Sequence, residues 1–155
     1  MAFYTTTVET ALSPAEAFAY MADVTNFATW DPGVKRSVLV QGLGQGVGAA
    51  YELTLNTPGA MVMRYEVTAY EAPRRVLLES RTRWLTSIDE VRVEASRSGA
   101  RVTYEAKLVL RGVAARLPGA NFLLQRAFNK IGDRAANGLR LALRGADVAE
   151  TTSRM

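Results

Sequence analysis

The stretch Asn121–Arg144, NFLLQRAFNKIGDRAANGLRLALR, contains no proline, and the rest of the chain must be arranged around it. Leu124, Phe128, Ile131, Ala135, Leu139 and Ala142 recur at three- and four-residue steps, which places them on one face of an α-helix. Arg126, Lys130, Asp133, Arg134, Arg140 and Arg144 fall on the opposite face, where Leu123 and Leu141 break the pattern. Pro118-Gly119 punctuates the chain just before the helix. Asn121 is the expected N-cap and Gly145 the expected stop. Gly132 and Gly138 each cost the helix about 1 kcal/mol relative to alanine. A helix with two interior glycines needs a surface to pack on, and the preceding sequence must supply it.

That sequence supplies strands. Phe3–Leu12 is threonine-rich and alternates, so it reads as a first strand. Ser13-Pro14-Ala15-Glu16 opens a helix, with Ser13 as cap, Pro14 as first helical residue and Glu16 completing a capping box. Residues 23–30 form a second short helical segment, broken by Asp31-Pro32-Gly33. From Val34 the period changes to two. Val34–Gln41, Val47–Asn56, Ala60–Glu71, Arg75–Trp84, Ser87–Arg97 and Ala100–Arg111 all read as strands. The breaks between them are short, and only Leu85-Thr86 lacks Gly, Pro, Asn or Asp. Six successive strands joined this way run antiparallel as a meander.

Composition narrows the chemistry. The chain has 155 residues, 48% hydrophobic and 22% charged, the balance of one globular domain with a core of its own. No apolar run reaches the roughly 18 residues that span a membrane. MAFYTTTVET lacks the basic and apolar regions of a signal peptide. The expectation is a cytoplasmic protein with one domain over residues 1–146 and a frayed tail over 147–155. There is no cysteine and no histidine. Disulfides, thiolate chemistry, Cys–His and Ser-His-Asp catalysis are thereby excluded, and the usual metal ligands are missing. Any acid–base chemistry falls to Asp, Glu, Lys or Tyr, and no cofactor or metal is expected.

The order of strand, two short helices, six strands and long helix resembles the START/Bet v 1-like (SRPBCC) superfamily. The similarity is strongest to its bacterial polyketide cyclase/dehydrase-type branch. The residues that carry it are the Ser13-Pro14-Ala15-Glu16 helix start, Trp30-Asp31-Pro32-Gly33, Gly46-x-Gly48 and Tyr70-Glu71-x-Pro73. The resemblance implies an α+β helix-grip fold: a curved seven-stranded antiparallel sheet wrapped around the C-terminal helix, with a deep cavity between them. It also implies binding of lipids, polyketides or other apolar ligands, with only some members being enzymes.

Strand alternation selects the side chains that face the helix. Val47, Ala49, Tyr51, Leu53 and Leu55 share a face, as do Met61, Met63, Tyr65 and Val67. Val76, Leu78, Ser80, Thr82 and Trp84 form a third set, and Val102, Tyr104, Ala106, Leu108 and Leu110 a fourth. Carbon walls with a few phenols, hydroxyls and an indole suit a ligand pocket; a closed core with polar tips at its rim is the plainer alternative. The expected lining is Trp30, Tyr51, Leu53, Met63, Tyr65, Leu78, Ser80, Thr82, Trp84, Val93, Tyr104, Leu108, Phe128 and Ile131. For Trp30, anchoring its short helix is the plainer role. Two charges fall in the inward phase: Arg36 with Val34, Val38 and Val40, and Asp89 with Val91 and Val93. A buried charge is costly, so each is a candidate for catalysis beside Tyr65 and Tyr104; the alternative puts both at strand ends, reaching water. The glycines of QGLGQGVG (41–48) are followed by a strand and lack the P-loop lysine, so they read as a flexible turn near the cavity entrance.

The first functional reading is therefore binding or transport of an apolar small molecule. The second is a polyketide cyclase or dehydratase. The third uses the basic helix face on RNA, ribosome or membrane; net charge is +4, yet motifs for nucleic-acid binding are missing. A monomer or homodimer is expected.

Overall fold

The helix that the sequence sets apart, α3, runs over Ala120–Arg154 in the computed structural model, which describes the backbone of residues 1–154 and the side chains of 1–145. It begins one residue before Asn121, whose side-chain oxygen instead accepts a 2.8 Å hydrogen bond from the amino group of Met1. It also passes through Gly145, because no proline follows to break it. The frayed tail expected over 147–155 is thus helical in backbone to Arg154, and the rest of that segment lies outside the described residues.

Seven strands make one antiparallel sheet: β1 (Ala2–Thr10), β2 (Val34–Gln41), β3 (Ala50–Leu55), β4 (Val62–Glu71), β5 (Arg75–Arg81), β6 (Leu85–Ser96) and β7 (Gly99–Leu110). Their order is β1-β7-β6-β5-β4-β3-β2. The meander of six is closed off by β1, which pairs with β7 from Ala2 opposite Leu108 to Thr10 opposite Ala100. Between β1 and β2 lie α1 (Pro14–Ala22), a 3₁₀ turn (Val24–Asn26) and α2 (Phe27–Trp30). Ser13 caps α1, its hydroxyl accepting from the Glu16 amide at 3.2 Å. This is the α+β helix-grip architecture, with sheet curled around α3.

Alternation divides the sheet faces. Leu53, Met63, Val67, Val76, Leu78, Val91, Val102 and Ala106 point inward and are buried. On the outer face Arg92 meets Glu90 at 2.7 Å and Glu105 at 2.6 Å, and Arg101 meets Glu9 at 2.7 Å. The alternation fails at one place that matters. A register shift between Val34 and Arg36 bulges β2. Beyond it Ser37 and Leu39 turn inward, and Arg36 stands exposed with Val40. The inward phase expected for Arg36 is therefore wrong.

The two glycines of α3 are explained by close approach. A methyl group at Gly138 would overlap the carbonyl oxygen of Trp30, and one at Gly132 would overlap the ring of Tyr4. Their helix penalty allows α3 to sit directly against α2 and β1. Beyond these contacts the face divides: Ala135, Ala136, Leu139 and Leu143 are buried, whereas Phe128 is half-buried and Ile131 is largely exposed.

Candidate ligand cavity

Under the N-terminal half of α3 lies a cavity of about 360 Å³, toward the small end of the roughly 300–1,000 Å³ usual for ligand pockets. Leu53, Leu55, Met61 and Met63 form one wall, Ala106 and Leu108 the other, and Phe128 and Ile131 the roof. The mouth opens between Pro32-Gly33, Asn56-Thr57 and the Ile131–Arg134 turn of α3. Sequence periodicity places these walls: β3, β4 and β7 each send alternate apolar side chains to the same face.

The floor is polar and joined by hydrogen bonds. The Tyr65 hydroxyl donates to Ser87 Oγ at 3.0 Å, Ser87 Oγ donates to Asp89 Oδ1 at 3.1 Å, and the Tyr104 hydroxyl donates to Asp89 Oδ2 at 2.8 Å. Asp89 is 6% exposed. Burial pushes its carboxyl up to about 6, against the two hydrogen bonds that favour the charged form. Burial also raises both phenols above the ordinary tyrosine range, with the Asp89 charge adding to the effect. A second carboxyl, Asp31, lines the same cavity and is likewise raised by burial, although one oxygen accepts from the Gly33 amide at 2.8 Å. Two buried polar atoms, Trp30 Nε1 and Ser80 Oγ, have no partner among the described residues; Ser80 lies opposite Tyr65 and Ser87 in the sheet.

Of the expected lining, Leu53, Met63, Tyr65, Tyr104, Leu108, Phe128 and Ile131 line this cavity, together with Asp89. The others do not. Trp30 is packed 4.8 Å from Phe27 and 5.3 Å from Tyr104 (ring centroids), anchoring α2 in the core. Leu78 and Val93 are filled core positions. Ser80 is buried beside the floor without lining the cavity. Thr82 and Trp84 fall outside because β5 ends at Arg81. Thr82 Oγ1 accepts from the Trp84 and Leu85 amides at 3.3 and 3.0 Å, making the turn there rather than at Leu85-Thr86. Tyr51 lies at the far end, donating to the Gly44 carbonyl at 3.0 Å. It lines a separate depression with Phe18, Leu39, Leu43 and Tyr70. The glycine-rich loop therefore sits opposite the cavity mouth and not at its entrance, since β3 runs from that loop toward the mouth. Arg36 takes no part.

Sequence reasoning missed Asp31 and Ser87. Ser87 shares the phase of Asp89 and was legible by spacing alone. Asp31 gives only a turn signal, in which its pocket role is hidden.

Fold and cavity together define a helix-grip protein that binds a small apolar molecule between its sheet and C-terminal helix. Residues 1–144 match the family described as polyketide cyclase/dehydrase and lipid transport, and the chain belongs to that family. Among solved structures it is similar to a START superfamily protein from Mycobacterium smegmatis, at 12% identity over 92% of this chain and 97% of that one, with a TM-score of 0.72. The Zhui aromatase/cyclase from Streptomyces sp. R1128 matches at 14% identity over 91% and 92% of the two chains, TM-score 0.69. The di-domain ARO/CYC StfQ of the steffimycin pathway matches at 13% identity over 99% of this chain and 52% of its own, TM-score 0.70. No curated protein matches the sequence. Among the described residues no helix is long and apolar enough to cross a membrane.

Proposed function

We propose that the ligand is a compact, largely apolar molecule carrying a carbonyl or hydroxyl head, and that the head enters first to meet the Tyr65–Ser87–Asp89–Tyr104 chain. The observation that carries this is Asp89, buried with its hydrogen-bonded partners at the polar floor of a cavity whose walls are largely carbon. A buried acid lowers stability unless something else is gained. An environment-sensitive apolar dye should bind the folded protein with one-to-one stoichiometry. Ala106→Trp, which fills the cavity from β7, should abolish that binding while the circular dichroism spectrum stays native. Dye binding left intact by this substitution would move the site elsewhere.

A second reading follows from the acidity of Asp89. A carboxyl held at about 6 has both protonation forms present near neutrality, as a general acid–base requires. On a ligand with two carbonyl groups, the Asp89 carboxylate takes a proton from the acidic carbon, and the C–H electron pair becomes the enolate. The enolate carbon then bonds to a second carbonyl carbon of the same molecule. The resulting alkoxide takes the proton back from Asp89, so no co-reactant is consumed. The Zhui relative, an aromatase/cyclase, supports this class of reaction. Its rate should rise with pH through about 6. Asp89→Asn should abolish turnover with affinity kept. A rate indifferent to pH and to this substitution would leave a binding protein alone.

A further inference from the structure

We propose that the mouth end of the molecule docks on an anionic phospholipid surface. Pairing of Ala2 with Leu108 and of Leu85 with Leu110 gathers the start of β1, the β5–β6 turn and the β7–α3 connection at the end where the cavity opens. The turn and the connection are joined directly, the Arg111 amide donating to the Trp84 carbonyl at 2.7 Å. Gln125 fastens the start of α3 to the backbone of Phe3 at 2.8 and 2.9 Å. At this end Trp84, Val113, Leu117, Phe122 and Leu123 are 49, 64, 58, 70 and 66% exposed. Single exposed apolar side chains are ordinary; five at one end make a patch.

Along the turn and the connection that carry this patch, charge is one-sided. Residues 81–88 hold Arg81 and Arg83 and no acid; residues 108–132 hold Arg111, Arg116, Arg126 and Lys130 and no acid. None of these six makes an ion pair among the described residues, whereas Arg75, Arg92 and Arg101 on the outer sheet face are all matched by glutamates. Phe122, Arg126 and Lys130 recur at four-residue steps and form one ridge of α3. The Arg83 guanidinium lies 4.8 Å from the Trp84 ring centre, presenting cation and indole together.

Protruding apolar tips set among unmatched cations are what an interface between anionic headgroups and acyl chains recognises. Tryptophan favours the headgroup level. A second copy of the chain would bring the cations against one another. A nucleic acid would match the charge and leave the aliphatic tips Val113, Leu117 and Leu123 without an apolar partner. Docking rests on this surface alone; passage of ligand from bilayer to cavity rests in addition on the binding reading above.

The test is flotation of the purified protein with phosphatidylcholine vesicles, with and without one third phosphatidylglycerol. The protein should float with the anionic vesicles only. It should be released at about 1 M salt, where the screening length falls to about 3 Å. Arg126→Gln and Lys130→Gln should each weaken binding about fivefold, and Trp84→Ser and Phe122→Ser each about tenfold. All four variants should keep dye binding in free solution, which separates docking from the cavity. If a serine variant misfolds, the glutamine variants, which leave packing untouched, decide. Equal flotation with neutral vesicles, no flotation, or variants that float like the parent would each overturn the proposal. So would self-association abolished by these substitutions, which would assign the patch to a second copy.

Discussion

From Ala135 to Leu143 the inner face of α3 is closed, with Ala135, Ala136, Leu139 and Leu143 buried and Gly138 resting on the Trp30 carbonyl. From Leu124 to Ile131 the same face is only partly covered and looks onto the cavity through Phe128 and Ile131. The two halves share a helix and a sheet, so propensity does not separate them. Side-chain size does: glycine and alanine let the C-terminal half approach α2, and larger residues roof a space in the N-terminal half. One continuous helix thereby supplies both the grip that stabilises the fold and the roof of a pocket.

Substitution should reveal the difference. Leu139→Ala, at a fully buried position, should cost about 2–5 kcal/mol in urea denaturation with dye affinity unchanged. Phe128→Ala should cost about 1–2 kcal/mol, below the usual figure for a packed phenylalanine, because fewer contacts are lost above a cavity. It should weaken dye binding markedly. Equal stability losses with equal affinities would erase the distinction between the halves.

Next in size is the pH dependence set by Asp89. Its carboxyl is held at about 6 in the folded protein and lies near 3.9 in an unfolded chain. The folded state binds this proton more tightly. The resulting contribution is fully present below about pH 4 and is lost as pH rises through about 6, to the extent of about 3 kcal/mol. Asp89→Asn removes that titration. Denaturation should find the variant more stable than the parent at pH 8 by up to about 3 kcal/mol and little changed at pH 4. A variant less stable at pH 8 would mean that the charge is well satisfied where it lies. Activity through the Asp89 carboxylate would follow the opposite slope, rising where stability falls.

How far the sequence carried depended on whether the backbone stayed regular. Where it did, period-two alternation placed Leu53, Met63, Tyr65, Asp89, Tyr104 and Leu108 on the cavity face, and the α3 stripe placed Phe128 and Ile131 above them. Where one residue was inserted or a strand stopped early, the reading failed. The β2 bulge turned Arg36 out to solvent. The Thr82 side chain ended β5 and left Trp84 outside. Leu78 and Val93 show a further limit: both face inward, as alternation requires, but periodicity does not tell a filled core from an empty pocket. That distinction depends on how closely α3 approaches. It is set by Gly132 and Gly138 against partners more than a hundred residues away, which local pattern does not register.

The pocket with an acid at its floor is tested most directly by following the ¹³Cγ resonance of Asp89 against pH by NMR, with and without bound apolar dye. The expected result is a midpoint near 6 in the free protein. Dye should displace that midpoint in the parent and leave it in place in Ala106→Trp. A midpoint near 4, ordinary for a solvated aspartate and indifferent to dye, would contradict both the burial of Asp89 and its place beside the ligand.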